Sequence, residues 1–167
     1  MTTTIIKGKQ FSVPHGTFYS LATQAIANVA NVQAIALEKD SDVHGLTHDK
    51  VTNNDRIYVP YTGSYLVTFS GISDITGAPG NKHLCIWPAV DGSAVTDSNT
   101  RVEIANATQE MTVAVSFILD VTAGHYISFQ TWGDATTVEW LATAAAAGPA
   151  RPAVPSVIIT VNMINAY

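Results

Sequence analysis

From Met111 to Val121 the chain alternates with a period of two. Met111, Val113, Val115, Phe117, Leu119 and Val121 fall on one side, and Thr112, Ala114, Ser116, Ile118 and Asp120 on the other. Successive side chains of an extended strand point to opposite faces, whereas a helix would scatter the same apolar set around its circumference. Eleven residues of this pattern commit the segment to a strand with one buried face.

The pattern recurs. Tyr65, Val67 and Phe69 oppose Leu66, Thr68 and Ser70, and near the C-terminus Val157, Ile159, Val161 and Met163 alternate with Ser156, Ile158, Thr160 and Asn162. Turn-forming residues separate the runs: Thr62-Gly63, Gly77-Ala78-Pro79-Gly80, Asp91-Gly92, Ala123-Gly124 and Gly133-Asp134. The spacing predicts strands near 31–38, 55–60, 64–73, 82–90, 100–105, 110–121, 124–132, 136–143 and 155–164, with a weaker one at 3–7. Many short strands in one chain without an internal repeat predict an all-β, antiparallel jelly-roll sandwich.

Two stretches are less regular. Ala22 to Leu37 is rich in Ala but carries Asn28 and Asn31, which disfavour helix interiors, so it reads either as a short helix or as an irregular arm entering a strand. The alanines 144–147 run into Gly148-Pro149, Pro152 and Pro155, which exclude a helix and predict an extended connection to the last strand. The expected division is an N-terminal arm over 1–30 and a jelly-roll domain over 31–167.

Charge narrows the partners. Only 13% of residues are charged, about half the ~25% of an ordinary soluble domain. A surface so poor in charge calls for cover by partner subunits. The net charge of -5 and just eight Lys and Arg residues argue against nucleic acid as a partner. Neither a secretory leader nor a membrane-length apolar run is recognisable, so no membrane is expected and synthesis in a cytoplasm is. Without secretion the sequon Asn106-Ala107-Thr108 has no use.

Candidate chemistry is sparse. Cys85, the sole cysteine, sits in the apolar run Leu84-Cys85-Ile86-Trp87 and reads as a buried small hydrophobe rather than a catalytic thiol. His44 and His48, with Asp40, Asp42 and Asp55 close in sequence, are of the right types for a divalent metal, but Gly45 and the polar surroundings favour a solvated loop. Asp134 and Glu139 form a conceivable acid and base pair of the kind that thirteen carboxylates produce by chance. Trp87, Trp132 and Trp140 with Tyr58, Tyr61 and Tyr126 suit either a sugar-stacking platform or core and subunit contacts. No nucleophile elbow, phosphate-binding glycine loop or zinc motif is present. The expectation is no enzyme, no cofactor and no metal.

The segment from Arg56 through Gly63 and Tyr65 to Phe69 resembles the strand-Gly-x-Tyr-strand signature of jelly rolls like tumour necrosis factor and the globular heads of complement. Trp87-Pro-Ala-Val-Asp-Gly, Ser98-Asn-Thr-Arg-Val, Phe117 to Ile127 and the closing Arg151 to Val161 are similar, in that order, to tailed-phage virion proteins of this class. His125 departs from the pattern, standing where the family's turn has Gly-Asp. The resemblance implies a homotrimer with one sheet of each sandwich around a three-fold axis.

Strand parity points the same way. If Tyr65, Val67, Phe69, Val115, Phe117, Ile127, Phe129, Val157, Ile159 and Val161 fill the sandwich, Leu66, Ile72, Tyr126, Trp132 and Ile158 point out and form the expected trimer contact. The role expected is that of a capsid decoration or cement protein, binding the major capsid protein on the outer surface of a bacteriophage virion, with the 1–30 arm reaching a neighbouring subunit or the shell. The alternative is the glycan-binding head of a short tail fibre or spike. With about 30 residues before the first confident strand, no shaft is visible.

Overall fold

The computed structural model of the chain describes residues 13–77, 80–106 and 109–167. Its strands, in chain order, are β1 (His15–Ser20), β2 (Gln24–Ala25), β3 (Gln33–Ala34), β4 (Lys39–His44), β5 (Thr47–His48), β6 (Ile57–Tyr58), β7 (Gly63–Ile75) and β8 (Lys82–Val90). After these come β9 (Ser93–Ala94), β10 (Thr100–Ile104), β11 (Met111–Val121), β12 (Tyr126–Gly133), β13 (Val138–Trp140), β14 (Ala146–Ala147), β15 (Ala150–Arg151) and β16 (Val157–Ala166). The described residues contain no helix, so Ala22 to Leu37 follows the irregular alternative.

The strands form two antiparallel sheets of seven. In the first, β7 is flanked by β11 on one edge and by β16 and β13 on the other, with β1 and β4 beyond β16 and β2 beyond β13. The second runs β10-β8-β12-β6-β5, with β9 on β8 and β3 on β12. Asp91 and Gly92, at φ 49° and 77°, join β8 to β9 across the Val90–Ser93 pair. Two left-handed residues match the twist of a two-residue hairpin, which is why Asp-Gly occurs there.

Between the sheets the inward residues interlock. Tyr65, Val67, Phe69, Ile127, Phe129, Val157, Ile159 and Val161 are fully buried, and Val115 and Phe117, on the edge strand, pack half-buried against them. An aromatic column crosses the gap: the Phe69 ring lies 5.0 Å from Trp140 and 5.3 Å from Phe129, and Phe117 lies 6.1 Å from Phe129. Such spacings suit edge-to-face and offset ring contacts. Gly71 makes room for it, since a Cβ there would sit 2.8 Å from a Trp140 ring carbon.

Several expectations need correction. Residues 15–20 are not an arm: β1 is paired on both sides, with β16 and β4, and buries Phe18 completely. Ile26, Ile35 and Leu37 are core residues as well, so the domain begins before residue 31. What remains for an arm, residues 1–12, lies outside the described residues, as does the weak strand at 3–7. β4 and β5 lie outside the expected strands, because a polar edge strand such as Lys-Asp-Ser-Asp-Val-His carries no apolar alternation. The Ala-Pro stretch closes as the small hairpin β14–β15 rather than running straight.

Candidate functional site

The outer face of the first sheet follows from register. Across β11, β7, β16, β1 and β4, one row reads Ser116, Thr68, Thr160, Thr17 and Ser41, and the next reads Ala114, Ser70, Ile158, Tyr19 and Lys39. Ile118, Leu66 and Asn162 form a third row, and Ile72 extends the face beside Thr112. Some of the hydroxyls bond within the face, Thr68 with Ser116 at 3.0 Å. The third row continues into His15 and His44, and charge lies at the borders: Lys39, Asp42 beside those two histidines, Asp120, and the opposed pair Asp74 and Glu139. Burial and the adjacent Asp74 carboxylate push the Glu139 carboxyl up.

Ile118 stands on this face 66% exposed. It belongs to an eleven-residue edge strand whose single charged residue is Asp120, and β11 pairs only with β7 among the described residues. A long edge with a single charge is the kind of strand that proteins ordinarily cover or blunt with charge.

The expected trimer set divides here. Leu66, Ile72 and Ile158 lie on the outer face just described, but Tyr126 and Trp132 belong to β12 and point out of the second sheet, on the far side of the sandwich. Parity separates core from surface but does not say which sheet a strand joins. Tyr126 packs against Tyr58 and lies under the Arg56 guanidinium, and the Trp132 indole donates to the Val29 carbonyl at 2.7 Å.

The aromatic residues divide: by register Tyr58, Trp87, Tyr126 and Trp132 face out of the second sheet. Trp140 is core. Trp87 lines a shallow cleft on the second sheet with Val32, Ala94, Asp97, Asn99 and Gln130, and its indole donates to Gln130 Oε1 at 2.9 Å.

Polar clusters rearrange too. His48 turns its side chain inward against the Phe18 ring and Asp40, while Asp55 lies beside Arg56. Burial raises the Asp40 carboxyl, but hydrogen bonds from Lys50 and His48 outweigh it and hold the group below its ordinary value. His44 faces away and meets Asp42 and His15 instead. His15 escaped sequence reading because it lies on another strand, far from His44 in the chain.

Asp134 and Glu139 likewise have separate partners. Asp134 accepts from the His83 backbone and ring, which outweigh its burial and hold it low, and Glu139 opposes Asp74. Cys85 is buried, and burial pushes its thiol up, away from the reactive thiolate. In the turn before β12, His125 contacts Asp91, whose other oxygen accepts from the Tyr126 amide at 3.0 Å.

No family model and no curated protein matches this chain. Among solved structures it is similar to the globular domain of zebrafish complement 1qA protein, with a TM-score of 0.56 at 9% identity, covering 93% of this chain and all of the other. At that identity the likeness concerns the fold: an all-β antiparallel sandwich of the complement-head, jelly-roll type.

Proposed function

We propose that the chain is a non-enzymatic structural module that works as a homotrimer, joined through the outer face of the first sheet, and decorates the outer capsid of a bacteriophage virion. The observation that carries the reading is the uncharged face of Leu66, Ile72, Ile118, Ile158 and Tyr19, bordered by an edge strand with one charged residue. In a lone protomer this face exposes apolar area that gains about 25 cal/mol per Å² when covered. A closed three-fold arrangement covers the same patch on every copy and leaves no open-ended contact. The order of sequence motifs similar to tailed-phage virion proteins supports the virion as its place and the major capsid protein as its partner.

Mechanically the role is adhesion: a trimer presents three identical contacts to the shell, so weak individual contacts sum to firm attachment. Light scattering on the purified protein tests the oligomer, with three times the 17.7 kDa protomer mass expected. Copy number per purified particle tests the location, hundreds being expected on a shell and a few dozen at most on a tail.

One observation favours the second reading, a glycan-binding head. The Trp87 cleft, about 320 Å³, combines an indole with Asp97, Asn99 and Gln130, a mixture suited to a sugar ring. Specific adsorption to host cells, lost in Trp87→Ala, is the result that would establish it.

A further inference from the structure

Where β4 lies against β1, one residue faces two. His15 is opposite His44 and Thr17 opposite Ser41, so Gly16 stands against both Asp42 and Val43. At this bulge the Asp42 backbone enters the left-handed region, φ 51°. That conformation is uncommon for a residue with a side chain, and bulges re-aim the side chains they carry. Here the carboxylate is set between two imidazoles, Oδ1 3.3 Å from His44 Nε2 and Oδ2 3.8 Å from His15 Nε2. The two rings lie 4.7 Å apart, tilted by 34°.

His15 adds a second feature. Its Nδ1 is 2.7 Å from the Val13 carbonyl oxygen, which only accepts, so Nδ1 carries a proton and donates it. In the neutral ring Nε2 is then a bare lone pair, and it faces a carboxylate oxygen across a gap too wide for a hydrogen bond. Two acceptors so placed attract a positive charge between them. Anchoring one imidazole nitrogen on a backbone carbonyl while presenting the other is also how metal-binding histidines are oriented.

From these contacts we infer that His15, Asp42 and His44 bind a divalent transition-metal ion of the zinc type, leaving coordination positions for water or an outside ligand. Two imidazole nitrogens and one carboxylate suit zinc, cobalt or nickel, whereas calcium and magnesium take oxygen ligands. The three ligand atoms lie within 4.8 Å of one another. Around zinc, with bonds of ~2.0 Å, they would stand about 3.3 Å apart. Closure asks for inward rotation of side chains, and these are free to turn: His44 is 55% and Asp42 77% exposed. The site lies at the β1–β4 border of the outer face described above, and all three ligands come from one protomer.

The test uses tag-free, full-length protein stripped with a chelator, titrated with Zn²⁺ by calorimetry and with Co²⁺ by visible absorption. Saturable uptake of one ion per protomer is expected, with cobalt ligand-field bands. His15→Ala, His44→Ala and Asp42→Asn should each weaken uptake at least ~10-fold, the loss that removal of even an outer-shell partner brings. Asn tolerates the same left-handed backbone, so Asp42→Asn removes the ligand charge with little strain. His125→Ala, at the distant Asp91 turn, should bind as the parent does. Ring-proton NMR of the unaltered protein gives an independent reading if a variant melts early: zinc should shift His15 and His44 and leave His48 and His125 in place. No saturable uptake, or uptake that persists in folded His15→Ala and His44→Ala, would overturn the inference.

Discussion

Trp140 and Thr131 tie the two sheets together through the core: the indole Nε1 of β13 donates to Thr131 Oγ1 of β12 at 3.1 Å, and that hydroxyl donates on to the Cys85 carbonyl at 2.7 Å. Both residues are fully buried. The largest side chain of the core therefore brings a polar group into an apolar interior, and a single hydroxyl satisfies it. Thr131→Val keeps the shape and removes the acceptor, leaving the indole N–H unpaired, which costs about 1–3 kcal/mol. Chemical denaturation should show the midpoint falling with an unchanged slope, and Thr131→Val should cost less in a Trp140→Phe background, where no indole N–H is left unpaired.

Glu139 sets the pH behaviour of one border. Its carboxyl is raised by burial first and by Asp74 second. A raised acid in the folded state contributes stability that is fully present below its unfolded value, near the ordinary 4.5, and is lost as pH rises through the folded value. Glu139→Gln should therefore melt later than the parent at neutral pH, and the difference should vanish well below 4.5. A melting series from acid to neutral pH reads the effect; a variant less stable than the parent at neutral pH would contradict it.

Asp40 carries the opposite sign. Lys50 and His48 hold its carboxyl below the ordinary value despite burial, so its contribution is present above the unfolded value and disappears as pH falls through the folded one. Asp40→Asn should lower the melting temperature at neutral pH and converge with the parent in acid.

Ile118 reports on assembly. Placing a charge at this exposed outer-face position leaves the core untouched, so Ile118→Lys should fold normally and melt as an isolated domain. A buried, unpaired ammonium costs several kcal/mol in a subunit contact. Light scattering should therefore give protomer mass for the variant and trimer mass for the parent. Trimers that survive Ile118→Lys would place the contact elsewhere.

Truncation separates attachment from folding only if it stops in time. Deleting residues 1–25 removes β1 and Phe18, stripping β16 and β4 of a shared partner, and should give unfolded protein. Deleting residues 1–12 leaves every described strand intact, and circular dichroism should show the parent fold. Shell binding by that shorter deletion measures what the first twelve residues contribute.

Much of this fold is legible in local pattern. The strands 63–75, 111–121 and 157–166 are foreshadowed by alternation, because each presents one face to the core, and 82–90 and 126–133 by the turn residues that bound them. β1 is not, although Gly16, Phe18 and Ser20 face inward: two of those three are small, so its alternation is one of size more than of polarity. β4 is exposed along most of its length and leaves no trace of burial in its residues. The site residues divide similarly. His44 and Asp42 stand out in the chain, while His15 joins them only through a strand pairing.

What the order of residues settles alone is which side of each strand meets the core, since an extended backbone must send neighbours to opposite faces. Which strands share a sheet is another matter: hydrogen bonds between distant segments decide it, and so place Tyr126 and Trp132 on the far face from Leu66 and Ile158. The His15–Asp42–His44 cluster belongs to that second category, because only the bulged pairing of β1 with β4 brings its three side chains within reach of one ion.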